Sequence, residues 1–227
     1  MNTRGVKALA HREKRPEESI RNAGLLSFNN PQSEVAEHYR SIRNNIRFAS
    51  GSESIGMLAI TSAAEGDGKS TVAVNLAITL ALQGERVLII DANMRNPLIH
   101  MILNIKSWPG LSDVLSNHNT LDEVIQNTVI DNLSVLPSGS TVFNTIDKLD
   151  SRAMAGLLEH AAGSYDAVLL DCSSVLAADA ISLASKADGT LLVVSRKTKQ
   201  KAVKEAVRRL EFAKVNLLGT VLNRSNR

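Results

Sequence analysis

Between two apolar runs the chain carries "AAEGDGKST", residues 63–71, in which Gly66 and Gly68 precede Lys69, Ser70 and Thr71. Glycines at these places permit backbone turns that point successive N–H groups into one concavity, which suits phosphate oxygens. A lysine beside them reaches the β- and γ-phosphates of a nucleotide, and the following serine hydroxyl ligates Mg²⁺. The frame is Ala63, four residues, then Gly68, Lys69 and Ser70, so the phosphate-loop spacing is kept with alanine where the first glycine usually stands. Glu65, Gly66, Asp67, Gly68, Lys69, Ser70 and Thr71 are therefore the candidate nucleotide contacts. A strand pattern before the loop and a helix pattern after it favour this reading over a bare glycine turn.

Two carboxylates join the loop. Asp91 closes the run "RVLIID" and Asp171 closes "DAVLLD". In an open parallel sheet the carboxyl ends of neighbouring strands share one crevice with a phosphate loop, so both can approach a metal there. Mg²⁺ keeps several waters and needs only one or two carboxylates beside the phosphates. Ser70, Asp91 and Asp171 form the candidate metal set, and Lys69, Asp91, Asn93 and Asp171 the candidate catalytic set. Asn93 stands in "DANMRNP", residues 91–97, where a second carboxylate would serve as a base. An amide cannot take a proton, although its carbonyl oxygen can hold a metal-bound water.

These residues need a scaffold that brings strand ends together. "IGMLAITS" (55–62), "RVLIID" (86–91), "NLSVLPSG" (132–139), "DAVLLD" (166–171), "GTLLVVS" (189–195) and "NLLGTVLN" (216–223) read as short strands without polar alternation. Such strands are buried on both faces, as in a parallel sheet covered by helices. "KSTVAVNLAITLALQG" (69–84) reads as a helix closed by Gly84, which completes a strand–helix–strand unit. The fold class is α/β, a doubly wound and mostly parallel sheet flanked by helices.

Upstream, "EVAEHYRSIRNNIRF" (34–48) puts Val35, Tyr39, Ile42 and Ile46 on one helical face and Glu37, Arg40, Arg43 and Arg47 on a neighbouring stripe. Residues 1–33 are polar, with Pro16, "NN" and Pro31, and read as a flexible N-terminal arm; residues 34–227 form the one large domain.

Composition limits the rest. The chain has 227 residues, 44% hydrophobic and 22% charged, with net charge +3 and the single cysteine Cys172. No apolar run approaches the roughly 18 residues of a membrane span, and the N-terminus lacks the apolar centre of a secretory signal, so a cytoplasmic location is expected. One cysteine excludes an internal disulfide. Among the cations from Arg196 onward the one aromatic is Phe212, too little for base stacking of the single-strand kind, so no nucleic-acid partner is expected.

The stretches "AITSAAEGDGKSTVAVNLAITLALQGERVLIIDANMRNPLIH", "GLSDVL", "NLSVLPSG" and "YDAVLLDCSSVLAADAISLASKADGTLLVVSRK" resemble the bacterial tyrosine kinases of capsule and exopolysaccharide systems, over residues 34–226. "EHYRSIR" also resembles that family's Glu-x-x-Arg-x-x-Arg element through Glu37, Arg40 and Arg43. The resemblance implies ATP with Mg²⁺, a Walker A loop at 63–71, a Walker A′ strand at 87–95 and a Walker B strand at 167–171. It also implies a homo-oligomeric ring joined through Glu37, Arg40 and Arg43. The implied partner is a membrane-embedded polysaccharide co-polymerase, a chain-length regulator whose cytoplasmic tail activates the kinase and holds it at the inner face of the membrane. Asn223 and Arg224 fall where related ATPases contact adenine.

The departures bear on activity. The family's second motif resembles Asp-Ala-Asp-x-Arg, and here its second Asp is Asn93; the third resembles Asp-Thr-Pro-Pro, and here it is "DCSS" (171–174). The chain ends "VLNRSNR" without a tyrosine cluster, and its two tyrosines are Tyr39 and Tyr165. Nucleotide binding is expected to survive better than phosphoryl transfer to tyrosine. Two classes follow: a tyrosine kinase of reduced activity, or a nucleotide-dependent assembly subunit of the polysaccharide machine. A partitioning or cell-division ATPase fits less well, because Ala63, Ala64 and Glu65 stand where that group usually carries a loop lysine.

Overall fold

The computed structural model describes residues 25–51, 56–140 and 145–224. Its elements are α1 (Leu26–Asn29), α2 (Glu34–Ser50), β1 (Gly56–Ser62), α3 (Lys69–Ala81), β2 (Val87–Asp91), α4 (Ile99–Leu103), α5 (Leu111–Val114), α6 (Leu121–Val124), β3 (Gln126–Asn127), β4 (Leu133–Leu136), α7 (Thr145–Leu149), α8 (Arg152–Ser164), β5 (Ala167–Ser174), α9 (Ala178–Ala184), β6 (Gly189–Ser195), α10 (Gln200–Phe212) and β7 (Leu217–Asn223). The seven strands make one sheet in the order β3-β4-β2-β5-β1-β6-β7. All neighbours run parallel except β3, which pairs antiparallel at the edge.

Both faces of the sheet are covered, which is why its central strands lack polar alternation. On β1, Met57 and Ala59 join one core while Leu58 and Ile60 join the other; on β2, Leu88 and Ile90 oppose Val87 and Ile89 in the same way. Each fully buried Leu or Ile contributes about 1.5–3 kcal/mol relative to exposure. The helix α3, buried along almost its whole length, fills the core shared with α2.

The helix α2 begins where Ser33 caps it by accepting from the Ala36 N–H at 3.2 Å, and ends at Gly51 in the left-handed region. Its buried side chains are Ala36, Tyr39, Arg43 and Ile46. This corrects the expected stripe: Arg43 lies within the buried face, not beside it, and Val35 is exposed. Arg43 reaches inward because its guanidinium finds the Thr79 carbonyl of α3 at 3.4 Å and the Asn44 side chain at 3.2 Å.

Residues 25–33, assigned to the arm on sequence, carry α1. The Ser27 N–H donates to the buried Asn75 side chain of α3 at 2.8 Å, and Leu25 is buried beside it. Residues 1–24 lie outside the described residues. No described helix is long and apolar enough to cross a membrane.

Candidate functional site

The strand order places β1 between β5 and β6, with β2 on the far side of β5. The segments leaving β1, β2, β5, β6 and β7 therefore meet at one edge, the carboxyl edge of the sheet. The loop after β1 makes positive-φ turns at Gly66 (80°) and Gly68 (91°) and opens into α3 at Lys69. Gly68 is required twice over. Besides its φ, a Cβ there would meet the Asn223 side-chain nitrogen at 2.1 Å.

The loop is braced by its own residues. The Asp67 carboxylate, nearly buried, accepts from the Ala64 N–H at 2.9 Å and from the Thr198 hydroxyl after β6. The Asn223 side chain donates to the Asp67 carbonyl at 2.8 Å. Asp67 therefore offers only backbone toward a ligand, and Glu65 and Gly66 are exposed at the loop's rim. Lys69 and Ser70 are buried at the start of α3.

Asp91 and Asp171 are direct partners in the β2–β5 register, and both are wholly buried. One Asp91 oxygen accepts from the Leu98 and Ile99 N–H groups at 3.2 and 3.1 Å. Its other oxygen, both oxygens of Asp171 and the Ser70 hydroxyl are buried without a hydrogen-bond partner among the described residues. Burial pushes the Asp171 carboxyl up to about 6 against the pull of the Lys69 ammonium, and the nearby Ser70 hydroxyl draws it down without an ordinary hydrogen bond. Burial, then the charge of Asp171, holds Asp91 well above the usual carboxylate range, opposed by the Ile99 and Leu98 N–H groups and by Lys69. Buried oxygens without partners cost free energy, and a hard cation with oxygen preference would satisfy all four. The donor set thus fits Mg²⁺.

Asn93 is nearly buried with both ends of its amide engaged. Its nitrogen donates to the Asn96 carbonyl at 2.7 Å, and its oxygen accepts from the Ser173 hydroxyl at 3.1 Å. The oxygen expected to hold a metal-bound water is aimed at Ser173. Ser173 also lies 3.3 Å from the buried Asp179 carboxylate, and Arg95 Nε lies 3.7 Å from the same carboxylate oxygen. Ser173, Asp179 and Thr198 were missed on sequence. The one visible signal was "SS" after Cys172, where the resembling family carries prolines.

A cavity of about 340 Å³ opens beside the loop, lined by Leu26, Val35, Tyr39, Thr71, Asn223 and Arg224 among others. It brings Thr71 to Asn223 and Arg224. A cavity of about 540 Å³ lies at the opposite edge, near Arg86, Leu133 and Tyr165. Glu37, Arg40 and Arg43 do not form one surface cluster. Arg40 pairs with Glu37 at 2.6 Å and donates to the Pro31 carbonyl at 2.9 Å, while Arg43 turns inward. Cys172 is buried, and burial with Asp171 beside it pushes its thiol far up, so it packs and does not react.

This sheet and loop define the class of P-loop ATPases, and a family model described as an AAA domain matches residues 56–217. The tyrosine-protein kinase YwqD of Bacillus subtilis is 38% identical over 201 residues, covering 88% of this chain and 85% of that one. The chimerical protein CapA2B2 shares its fold with TM-score 0.87 and 36% identity, over 90% of this chain and 91% of that one. The septum site-determining protein MinD of Pyrococcus horikoshii, solved with Mg-ADP, is more distant at TM-score 0.65 and 27% identity, over 75% of this chain and 71% of that one. Some relatives are much longer: the chain spans 28% of the tyrosine-protein kinase etk of Escherichia coli, at 32% identity over 89% of its own length. The chain belongs to the bacterial tyrosine-protein kinase family.

Proposed function

We propose that the chain binds MgATP at the 63–71 loop and acts as a cytoplasmic tyrosine-kinase-like subunit controlling capsule or exopolysaccharide synthesis and export. The observation that carries nucleotide binding is the set of four partnerless buried oxygens, on Ser70, Asp91 and Asp171, beside the buried Lys69. In this reading the loop N–H groups and Lys69 hold the phosphates, and Ser70, Asp91 and Asp171 hold Mg²⁺. The bound metal would neutralise charge on the transferring phosphoryl group. Asn223 orders the loop, and Arg224 and Thr71 line the cavity where a base would sit.

Phosphoryl transfer is diminished. A positioned base is worth about 10²- to 10⁴-fold, and position 93 supplies an amide committed to Asn96 and Ser173. This observation favours a second reading, a weakly active assembly ATPase of the polysaccharide co-polymerase complex. In both readings a membrane-embedded co-polymerase tail recruits the protein to the inner face of the membrane, and a homo-oligomeric ring assembles through the α2 surface around Glu37 and Arg40.

Purified protein with labelled MgATP tests this, with and without a co-polymerase tail peptide and an added tyrosine peptide. Label on peptide supports the kinase; binding without label supports the assembly subunit. Lys69→Met is expected to weaken MgATP binding strongly in a protein that still folds. Unchanged affinity would remove the loop from the nucleotide site.

A further inference from the structure

The hydroxyl of Ser173 stands between two acceptors, Asn93 Oδ1 at 3.1 Å and Asp179 Oδ2 at 3.3 Å. All three side chains are buried. The orientation of the amide is fixed by chemistry, because the Asn96 carbonyl can only accept and so must face the Asn93 nitrogen. The Asp179 carboxylate is held in turn by the Ala180 N–H at 3.1 Å and by Arg95 at 3.7 Å. The cluster thereby joins the segment after β2, residues 92–98, to the turn between β5 and α9.

The protons available around Ser173 fix what position 93 must be. Beside the Ala180 N–H and the Arg95 guanidinium, which serve Asp179, the donors are one hydroxyl proton from Ser173 and two amide protons from Asn93, and the acceptors are the Asn96 carbonyl, Asn93 Oδ1 and Asp179. A carboxylate at 93 would remove both amide protons. It would face the Asn96 carbonyl with a second acceptor, and would leave one hydroxyl proton between two buried carboxylates. Unsatisfied buried acceptors and paired like charges are both unfavourable.

We propose that Asn93 is a positioning residue whose amide is required by Ser173 and Asp179: it latches the 92–98 segment to the β5–α9 turn and so fixes Asp91 opposite Asp171. Restoring a carboxylate at 93 breaks the latch and does not by itself restore a base. The consequence for ligand rests on the proposed MgATP reading, whereas the latch is read without any ligand.

The test is an exchange of amide and carboxylate across the hydroxyl, using the full chain. Asn93→Asp and Asp179→Asn are each expected to lower the melting temperature by about 3–10 °C in chelator without nucleotide. The double variant Asn93→Asp/Asp179→Asn is expected to lose less than the sum of the two single losses, since one amide and one carboxylate again flank the hydroxyl, although the Asn96 carbonyl still faces a carboxylate. Well below the melting transition, calorimetry with MgATP is expected to show each single variant weakened about fivefold or more, and the exchange variant weakened by less than the product of the two single effects. Should Asp179→Asn fail to fold, Asp179→Ala takes its place, and Asn93→Asp is expected to cost less in that background. Strictly additive melting losses, or an Asn93→Asp protein as stable as wild type, would overturn the latch. A stability loss with MgATP affinity unchanged would overturn the positioning role. Wild type that binds no MgATP would overturn the proposed function, while the melting cycle would still decide the latch.

Discussion

The side-chain nitrogen of Asn223 lies 2.8 Å from the carbonyl of Asp67, so the last strand ends by holding the glycine loop in shape. The same nitrogen fills the space that a Cβ at Gly68 would need. Loop geometry and strand end are therefore set together. Asn223→Ala removes one hydrogen bond worth about 0.5–1.5 kcal/mol and frees the loop, so MgATP affinity is expected to fall about two- to tenfold. Calorimetry checks this, and unchanged affinity would mean that the loop holds its turns alone.

The paired carboxylates set a pH dependence in the metal-free protein. Burial, opposed by Lys69, pushes Asp171 up to about 6, and Asp91 lies well above its usual range. An unfolded aspartate titrates near about 4. The fold thus favours the protonated forms, and the Asp171 contribution is present in full below about 4 and is lost as pH rises through about 6. His100 opposes it, since burial lowers its pKa and its protonation at low pH favours unfolding. In chelator, Asp171→Asn is expected to raise the melting temperature at pH 7.5 and to lessen the fall in stability between pH 5 and 7.5. A slope identical to wild type would show that Asp171 does not titrate in this window.

The parallel sheet was legible because its central strands, buried on both faces, read as continuous apolar runs, and the "GTLLVVS" boundaries, residues 189–195, match β6; the edge strand β7 reads the same way in sequence yet is only partly buried. The helices α4, α5 and α6 were not legible, since four or five residues are too few to show a period. Asp91 and Asp171 could be paired from their places at strand ends. The partners of the remaining site residues could not, because Ser173 meets Asn93 across 80 residues, Thr198 meets Asp67 across 131 and Asn223 meets Asp67 across 156. Arg43 was misplaced by its charge. Tyr39, Arg43 and Ile46 stand at i, i+4 and i+7, so the helical period alone puts the guanidinium on the buried face.

The inward turn of Arg43 separates two arginines in any assembly experiment. Arg43 donates to the Thr79 carbonyl and covers the core of α2 and α3, so Arg43→Ala is expected to cost about 1–2 kcal/mol, or a few degrees in melting temperature. Arg40 pairs with Glu37 in an exposed position, and Arg40→Ala is expected to change stability by less than about 0.5 kcal/mol. Sedimentation with MgATP then tests the ring with Arg40→Ala alone. Unaltered rings in that variant would move the subunit contact away from Arg40, and an Arg43→Ala protein that melts like wild type would contradict the buried role.

The chain's two tyrosines make poor acceptors for its own site. Tyr39 is only 6% exposed in the face that α2 turns to the core, and burial pushes its hydroxyl up to about 12. A phosphate there would bring a charge of about −1.5 to −2 into apolar surroundings, so α2 would have to peel from α3 first. Tyr165 lies before β5, at the edge of the sheet opposite the loop, and is separated from Asp171 by the strand's rise of about 3.3 Å per residue, roughly 20 Å in all. After incubation with MgATP, mass spectrometry is expected to find neither tyrosine phosphorylated to an appreciable extent. Tyr39→Phe is expected to leave the label on an added tyrosine peptide unchanged. Abundant phosphotyrosine at Tyr39 in protein that melts like wild type would overturn the burial argument. Vigorous peptide phosphorylation by wild type would instead show that the amide at 93 does not limit transfer, and that another group takes the proton from the incoming hydroxyl.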